Sequence, residues 1–270
     1  MPDGSVHALP GSIHGKSAYT VARYAASEAG KILKKYFGKP VETHVKGKRN
    51  LVTEADLLSE KKILEIIAEE FPSHGILSEE AGASREGAEY TWIIDPLDGT
   101  NNFYFGIPLF CVNIALVRRG EVALGVTYDP LRNETFYGVK GKGAHLNGKK
   151  IKVSDVKTLD KASAGVDLGY NVERSKDLLD IATGLWPKLH CLRLTGSSAL
   201  GLAYVACGRF SLYFHKYLYP WDVASGLLLI GEAGGDVTRY DGKRATVNDA
   251  AIVAANPVLR VEFLNWLNRR

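Results

Sequence analysis

Trp92-Ile93-Ile94-Asp95-Pro96-Leu97-Asp98-Gly99-Thr100-Asn101-Asn102 is the stretch on which the reading of this chain turns. An apolar run of strand length ends in Asp95, and Pro96, which has no N–H to donate, stops the ladder. A second carboxylate, Asp98, follows just before a Gly-Thr pair able to open a helix. Two acids therefore stand at one strand exit. Upstream, Gly75 to Leu77 reads as another short strand and runs into Ser78-Glu79-Glu80. Downstream, Pro220-Trp221-Asp222 opens an apolar helix closed by Gly234-Gly235, which puts Asp222 in its first turn.

Each acid has an ordinary structural explanation on its own: Asp98 as a turn former, Asp222 as a helix-dipole partner, Glu79 and Glu80 as a solvated pair. Together they gather carboxylates in a small, partly buried space, where like charges raise one another's pKa and oppose folding. Divalent cations remove that conflict, and an oxygen-only set without His or Cys suits Mg²⁺, or Mn²⁺ as its substitute, far better than zinc. Mg²⁺ held by few carboxylates completes its octahedron with water and phosphate oxygens, which points to a phosphate ester as substrate. The backbone at Gly99-Thr100-Asn101 offers free N–H groups to a phosphate, and Gly196-Ser197-Ser198 is a second helix start of the same kind. No Walker motif, kinase glycine-rich loop or GxSxG is present, which argues against nucleotide-driven transfer and serine hydrolysis.

The surrounding chain reads as layered α+β and α/β architecture. Ala18, Val21, Ala22, Ala25, Ala29, Ile32, Leu33 and Tyr36 recur at helical spacing between Ser17 and Phe37. A second helix follows Thr53 and ends at Pro72, with Leu57, Leu64, Ile67 and Phe71 expected inside and Glu60, Lys61, Glu65 and Glu69 outside. Thr91 to Ile94, Phe110 to Arg118, Val122 to Tyr128 and Thr135 to Val139 are short, β-branched and bounded by turn residues, hence strands. Asn147-Gly148 predicts a hairpin within Ala144 to Val153. After a charged connection, Ser154 to Lys161, strands at 162–166, 190–194, 211–214, 237–240 and 251–254 alternate with helices at 175–186, 197–207, 221–233 and 258–267. An N-terminal α+β half over residues 1–155, carrying the acid motifs, and a C-terminal α/β half over 156–270 are expected to form a single compact unit.

Composition adds bounds. The 270 residues carry a net charge of +4 with 46% hydrophobic and 24% charged residues, which excludes disorder and low complexity. The excess is scattered apart from short clusters such as Lys46, Lys48 and Arg49 or Lys149, Lys150 and Lys152, so charge gives no reason to expect a nucleic acid or an anionic membrane as partner. Cys111, Cys191 and Cys207 form no CxxC pair and read as free thiols of a reducing compartment. The first fifteen residues hold no apolar signal core and no segment approaches the ~20 apolar residues of a membrane span, so a cytoplasmic location is expected.

Taken in order and at these separations, Ser78-Glu79-Glu80, Trp92 to Asn101 and Pro220-Trp221-Asp222-Val223-Ala224-Ser225-Gly226 resemble the inositol monophosphatase family. Lys46 followed by Leu51-Val52-Thr53-Glu54-Ala55-Asp56, and Gly231-Glu232-Ala233-Gly234-Gly235, match further family segments. The resemblance spans the chain from about Ala18 onward. It implies a five-layered αβαβα sugar-phosphatase fold, a homodimer, and a Mg²⁺-dependent, Li⁺-sensitive phosphomonoesterase. Carried over by position, Glu79, Asp95, the Leu97 carbonyl, Asp98 and Asp222 are metal ligands. Glu79 and Thr100 position and help deprotonate the attacking water, and Asp56 supports a further, weaker metal. Gly99 and Thr100 hold phosphate through their backbone, while Gly196, Ser197 and Asp222 face the hydroxyl-bearing part of the substrate.

One position departs from the pattern. Members acting on inositol phosphate commonly have a Glu six residues before the motif Trp, whereas this chain has His215, followed by Lys216. A strand-end residue without a substrate role is one explanation. The other is a cationic rim that favours a second anionic group, as in fructose 1,6-bisphosphate. The expected substrates are therefore inositol monophosphate or a related sugar phosphate, then fructose 1,6-bisphosphate, histidinol phosphate or a nucleotide 3′-phosphate. A reading of another class is a regulatory protein on this scaffold that contacts RNA or the transcription machinery.

Overall fold

The computed structural model describes residues 9–40, 43–47 and 50–270, with side chains over 9–40 and 52–270. Residues 1–8, Lys48, Arg49 and the side chains of Lys46 and Leu51, on which parts of the sequence reading fall, lie outside the described residues.

Helix α1 (Ala18–Tyr36) is capped by the Ser17 hydroxyl, which accepts from the Thr20 N–H. A two-stranded ribbon, β1 (Thr43–Gly47) and β2 (Asn50–Thr53), leads into α2 (Glu54–Glu70), whose N-cap Thr53 and third residue Asp56 form a reciprocal capping box. The main sheet contains β3 (Gly75–Ser78), β4 (Gly82–Ser84), β5 (Tyr90–Asp98), β6 (Cys111–Arg118), β7 (Glu121–Asp129), β8 (Glu134–Val139), β9 (Ala144–Leu146) and β10 (Lys149–Lys150). Its order is β10-β9-β8-β7-β6-β5-β3-β4, antiparallel except for the pair β3 and β5. The short α3 (Thr100–Tyr104) follows β5. The expected hairpin joins β9 to β10 with Asn147 and Gly148 both at positive φ, the geometry that Asn-Gly favours.

The second sheet has β11 (Ser163–Val166), β12 (Cys191–Leu194), β13 (Leu212–His215), β14 (Asp236–Thr238) and β15 (Ile252–Ala255) in the order β12-β11-β13-β15-β14. Its helices are α4 (Val172–Leu185), α5 (Ser198–Ala206), α6 (Pro220–Glu232) and α7 (Pro257–Leu267). Five layers result. Val21, Ala25, Leu33, Ile63 and Ile67 of α1 and α2 pack on Trp92, Ile94, Ile114 and Val126 of the main sheet. Its other face meets α5 and α6 through Ile93, Ala115, Phe136, Ala224 and Leu229. The second sheet covers those helices from beyond, and α4 and α7 close its outer face with Leu178, Ile181, Leu259 and Phe263. Helix α5, held between two sheets, is buried at eight of its nine residues, as an all-round apolar helix must be. Strand β5 is buried on both faces from Trp92 onward, so Trp92, Ile93 and Ile94 follow one another without alternation.

Three local expectations are corrected. Strand β5 does not end at Asp95: pairing with β6 resumes at Asp98 opposite Cys111 after an irregularity, which accommodates the missing Pro96 donor. On α2, Leu57 is exposed and Glu60 is buried, because the Glu60 carboxylate accepts hydrogen bonds from the Ser78 hydroxyl and from the N–H groups of Glu80 and Ala81. Helix α4 also starts earlier than expected, with Asn171 as its cap. Among the described residues no helix is long and apolar enough to cross a membrane.

Candidate metal centre

Four elements converge on the acids. Strand β5 delivers Asp95, Leu97 and Asp98 at its exit, and α6 presents Asp222 in its first turn. The exit of β3 brings Glu79, whose N–H donates to the Ile94 carbonyl at 3.2 Å, and the first turn of α2 brings Asp56. Carboxylate oxygens of Asp95, Asp98 and Asp222 lie within 4.8 Å of one another.

Each of the three is held by neutral donors. Asp95 Oδ1 accepts from the Leu97 N–H at 3.0 Å. Asp98 caps α5: Oδ2 accepts from the Ser197 hydroxyl at 2.5 Å and the Ala199 N–H at 2.9 Å, and Oδ1 from the Ser198 N–H at 3.3 Å. Asp222 Oδ2 accepts from the Tyr219 N–H at 2.7 Å. Burial pushes all three carboxyls above the ordinary range; the charges of Glu79, Asp98 and Asp222 add to this at Asp95, and those of Asp98 and Glu79 add to it at Asp222. A converging, mutually repelling, oxygen-only set of this kind fits a divalent cation, which supplies the missing positive charge. The Leu97 carbonyl lies beside it and accepts from the Thr100 hydroxyl at 3.0 Å.

Thr100 also donates to Asp56 Oδ1 at 3.0 Å, while Asp56 Oδ2 accepts from the Thr53 N–H at 2.9 Å and hydroxyl at 2.5 Å. Burial raises the Asp56 carboxyl to about 6 against these hydrogen bonds, which pull it down. Between β5 and α3, Gly99 adopts φ 94°, a conformation that favours glycine, and a Cβ there would meet the Leu109 carbonyl at 2.9 Å. A separate groove of about 520 Å³ between α1 and β7–β8 is lined by residues such as Val21, Arg23 and Tyr128 and contains none of the clustered acids.

Three residues assigned to the substrate side have partners inside the protein. The Ser197 hydroxyl is buried against Asp98, and the Gly196 N–H donates to Asp167 Oδ1 at 2.5 Å, so both of these groups have partners inside the protein. His215 is 2% exposed, with Nδ1 accepting from the Tyr217 N–H at 3.0 Å, and burial lowers its pKa to about 3. It is neutral, and Lys216 is paired with Asp177 at 2.6 Å, so no cationic rim forms there.

Sequence reading missed three contributors. Asp167, buried at the exit of β11, accepts from the Thr195 N–H, the Gly196 N–H, the Thr195 hydroxyl and the Tyr213 hydroxyl and so fixes the turn before α5. An acid directly after an apolar strand, the signal used for Asp95, would have found it. Tyr170 lies on the next loop, its phenol pushed up by burial and then by the charges of Glu79, Asp98, Asp222 and Asp95. Asn113 carried no local signal.

The family model of the inositol monophosphatase family matches residues 16–268. The chain belongs to the inositol monophosphatase family. Inositol monophosphatase 3 of Solanum lycopersicum is 41% identical over 257 residues, covering 92% of this chain and 95% of that protein. A fructose-1,6-bisphosphatase/inositol-1-monophosphatase of Aquifex aeolicus is 38% identical over 249 residues, with 90% and 92% covered. The crystal structure of the extragenic suppressor protein suhB from Bartonella henselae superposes with a TM-score of 0.89 at 32% identity, covering 93% of this chain and 98% of that one. As a member of the inositol monophosphatase family the protein is a phosphomonoesterase, and the acid cluster is the part of it suited to the divalent ions such chemistry uses.

Proposed function

We propose that the protein hydrolyses inositol monophosphate, or a closely related sugar phosphate, in a Mg²⁺-dependent reaction. The observation that carries this reading is the meeting of Asp95, Asp98 and Asp222 within 4.8 Å, with Thr100 and Asp56 hydrogen-bonded beside them. A divalent ion held there would supply positive charge against the phosphoryl oxygens and lower the pKa of a water toward neutrality. Asp95, Asp98, Asp222, Glu79 and the Leu97 carbonyl would hold Mg²⁺, with Mn²⁺ as a substitute. Glu79 and Thr100 would orient the attacking water, with the Glu79 carboxylate as acceptor of its proton, Asp56 fixes the Thr100 hydroxyl, and the backbone N–H groups of Gly99 and Thr100 would hold the phosphate. Li⁺, which resembles Mg²⁺ in size but carries one charge, inhibits at millimolar order.

Inositol phosphate ranks ahead of a bisphosphate because His215 is neutral and Lys216 is engaged by Asp177, which leaves no cation there for a second phosphate. Tyr170, 39% exposed beside the acids, is placed to meet the hydroxyl-bearing part of the ester. A homodimer is favoured by the exposed Phe105, Ile107 and Leu194, since Asn102 of α3 donates to the Thr195 carbonyl and so joins the two elements that carry them. Three unpaired thiols suit the cytoplasm.

Phosphate release from inositol 1-phosphate, fructose 1,6-bisphosphate, histidinol phosphate and a 3′-nucleotide, each with Mg²⁺ and with EDTA, tests the reading. Turnover that survives EDTA would overturn the metal assignment; preference for the bisphosphate would overturn the substrate.

A further inference from the structure

Beneath the first turns of α6 runs a buried chain of polar side chains that belongs to neither the acids nor their immediate donors. Asn113 on β6 is paired in register with Asp95 on β5 and with Thr127 on β7, so all three side chains leave the same face of the main sheet. That face carries α6. Asn113 Nδ2 donates to the Trp221 carbonyl at 2.7 Å, one residue before Asp222. Asn113 Oδ1 accepts from the Thr127 hydroxyl at 2.7 Å, and the Thr127 oxygen lies 2.9 Å from the Ser225 hydroxyl. Because Thr127 spends its one proton on Asn113, Ser225 is the donor to Thr127, and the direction of the whole chain is set: Ser225 to Thr127 to Asn113 to the Trp221 carbonyl. Asn113, Thr127 and Ser225 are all buried and each is satisfied within the chain.

The helix can reach these groups only because it lies unusually close to the sheet. A Cβ at Gly125 of β7 would come within 2.9 Å of Ser225 Cα and 3.0 Å of its carbonyl oxygen, both backbone atoms that cannot give way. The chain thus grips α6 at Trp221 and again at Ser225, one turn later, on either side of Asp222. Apolar contacts of α6 are non-directional and tolerate sliding along the sheet; the amide of Asn113 does not, because a 2.7 Å hydrogen bond to a backbone carbonyl fixes both height and rotation.

We propose that Asn113 is a positioning residue that sets where Asp222 stands relative to Asp95 and Asp98, and so tunes the affinity of the site for its divalent ion. The inference rests on Asp222 being a metal ligand. Outer partners that orient metal ligands are typically worth about 10- to 100-fold in affinity.

The experiment is a calorimetric titration of Mn²⁺ alone into the intact, metal-stripped protein and into Asn113→Ala, Asp222→Asn and the double variant, with thermal unfolding alongside. Asn113→Ala is expected to bind Mn²⁺ about 10-fold or more weakly while still folding, and to change nothing further once Asp222 is Asn, because its effect passes through that carboxylate. Thr127→Val, which keeps shape and removes the donor to Asn113, should shift affinity the same way by a smaller factor, and it carries the test if Asn113→Ala does not fold. Unchanged Mn²⁺ affinity in Asn113→Ala, with only the melting temperature lowered, overturns the proposal and leaves Asn113 a packing residue. An equal loss in the Asp222→Asn background also overturns it. Unchanged affinity in Asp222→Asn alone would instead overturn the assignment of Asp222 as a ligand, an outcome separate from both.

Discussion

The Thr100 hydroxyl stands 3.0 Å from Asp56 Oδ1 and 3.0 Å from the Leu97 carbonyl oxygen, so its single proton is committed to acceptors and its lone pairs are left for a donor. Water is such a donor. Thr100→Ala is therefore expected to lower kcat by ~10²- to 10⁴-fold, the range for a positioned proton-transfer group, with little change in KM. Thr100→Ser, which keeps the oxygen, should retain most of the activity. Steady-state kinetics on inositol 1-phosphate decide the matter: a raised KM with kcat intact would make Thr100 a binding contact.

Asp95 and Asp98 are both buried acids with raised pKa values, yet their surroundings differ, and so should their Asn variants. Asp95 accepts one backbone hydrogen bond, whereas Asp98 accepts from Ser197, Ser198 and Ala199 at the start of α5. Both variants should lose activity by orders of magnitude. Without metal, Asp95→Asn should be more stable than the wild type, because it removes a repelled charge; Asp98→Asn should gain little, since an amide N–H₂ would face backbone donors. The pH dependence has a definite sign. A carboxyl whose folded pKa is raised binds more protons folded than unfolded, so the stability of the metal-free protein falls as pH rises above the unfolded value of 3.8. Urea midpoints at pH 5 and 7, with and without Mg²⁺, measure it. A metal-free Asp95→Asn less stable than wild type at pH 7 would contradict the repulsion.

What was legible in the sequence was what is local in the chain. The helices α1 and α2, the Asn147-Gly148 hairpin and the acids at the exits of β3 and β5 follow from spacing, capping and turn chemistry within a few residues. What escaped depends on partners far away. Glu60 is buried because its acceptors are used by residues 18 to 21 positions on, and Asn113 meets the Trp221 carbonyl 108 residues later. His215 ends an apolar strand as a solvent-facing residue could, and only the packing of β13 beside β15 shows that its ring is enclosed. Hydrophobic periodicity specifies faces, not which polar group on a face meets which donor.

Glu70, at the C-terminal end of α2, accepts from Lys16 Nζ at 2.5 Å and lies 3.3 Å from His14 Nδ1, pinning the segment before α1. The Lys16 ammonium and the Ser12 hydroxyl hold its carboxyl down at about 2, against 4.5 unperturbed. A depressed carboxyl contributes stability that is fully present above its unfolded pKa and lost as pH falls from about 4.5 toward 2. Glu70→Gln should therefore be less stable than wild type at pH 6, with the gap closing on acidification. Denaturant midpoints from pH 6 to pH 2 test this; a gap that is constant across the range would mean that Glu70 acts through packing alone.

His215, a base whose pKa is lowered, gives a dependence of the same sign at higher pH. Its folded pKa of about 3 lies below the ordinary 6.5, because burial penalises the imidazolium and Nδ1 is already an acceptor for the Tyr217 N–H. Between those values the unfolded chain binds a proton that the folded protein refuses, so folding weakens as pH falls from about 6.5 toward 3, by on the order of 1 kcal/mol per pH unit. His215→Gln, neutral throughout, should lack that slope. His215→Glu places a carboxylate in the same enclosed position, so its stability should instead fall as pH rises above the ordinary Glu value of ~4.3. The wild type thus gains stability as pH rises through this range, His215→Gln is flat and His215→Glu loses stability, a graded pattern that loss of packing alone would not produce. Chemical denaturation from pH 4 to pH 8 reads it directly, and an NMR titration of the His215 ring supplies an independent check. A ring that titrates near 6.5 in the folded protein would mean that His215 reaches water, and would restore it as a cation facing the substrate.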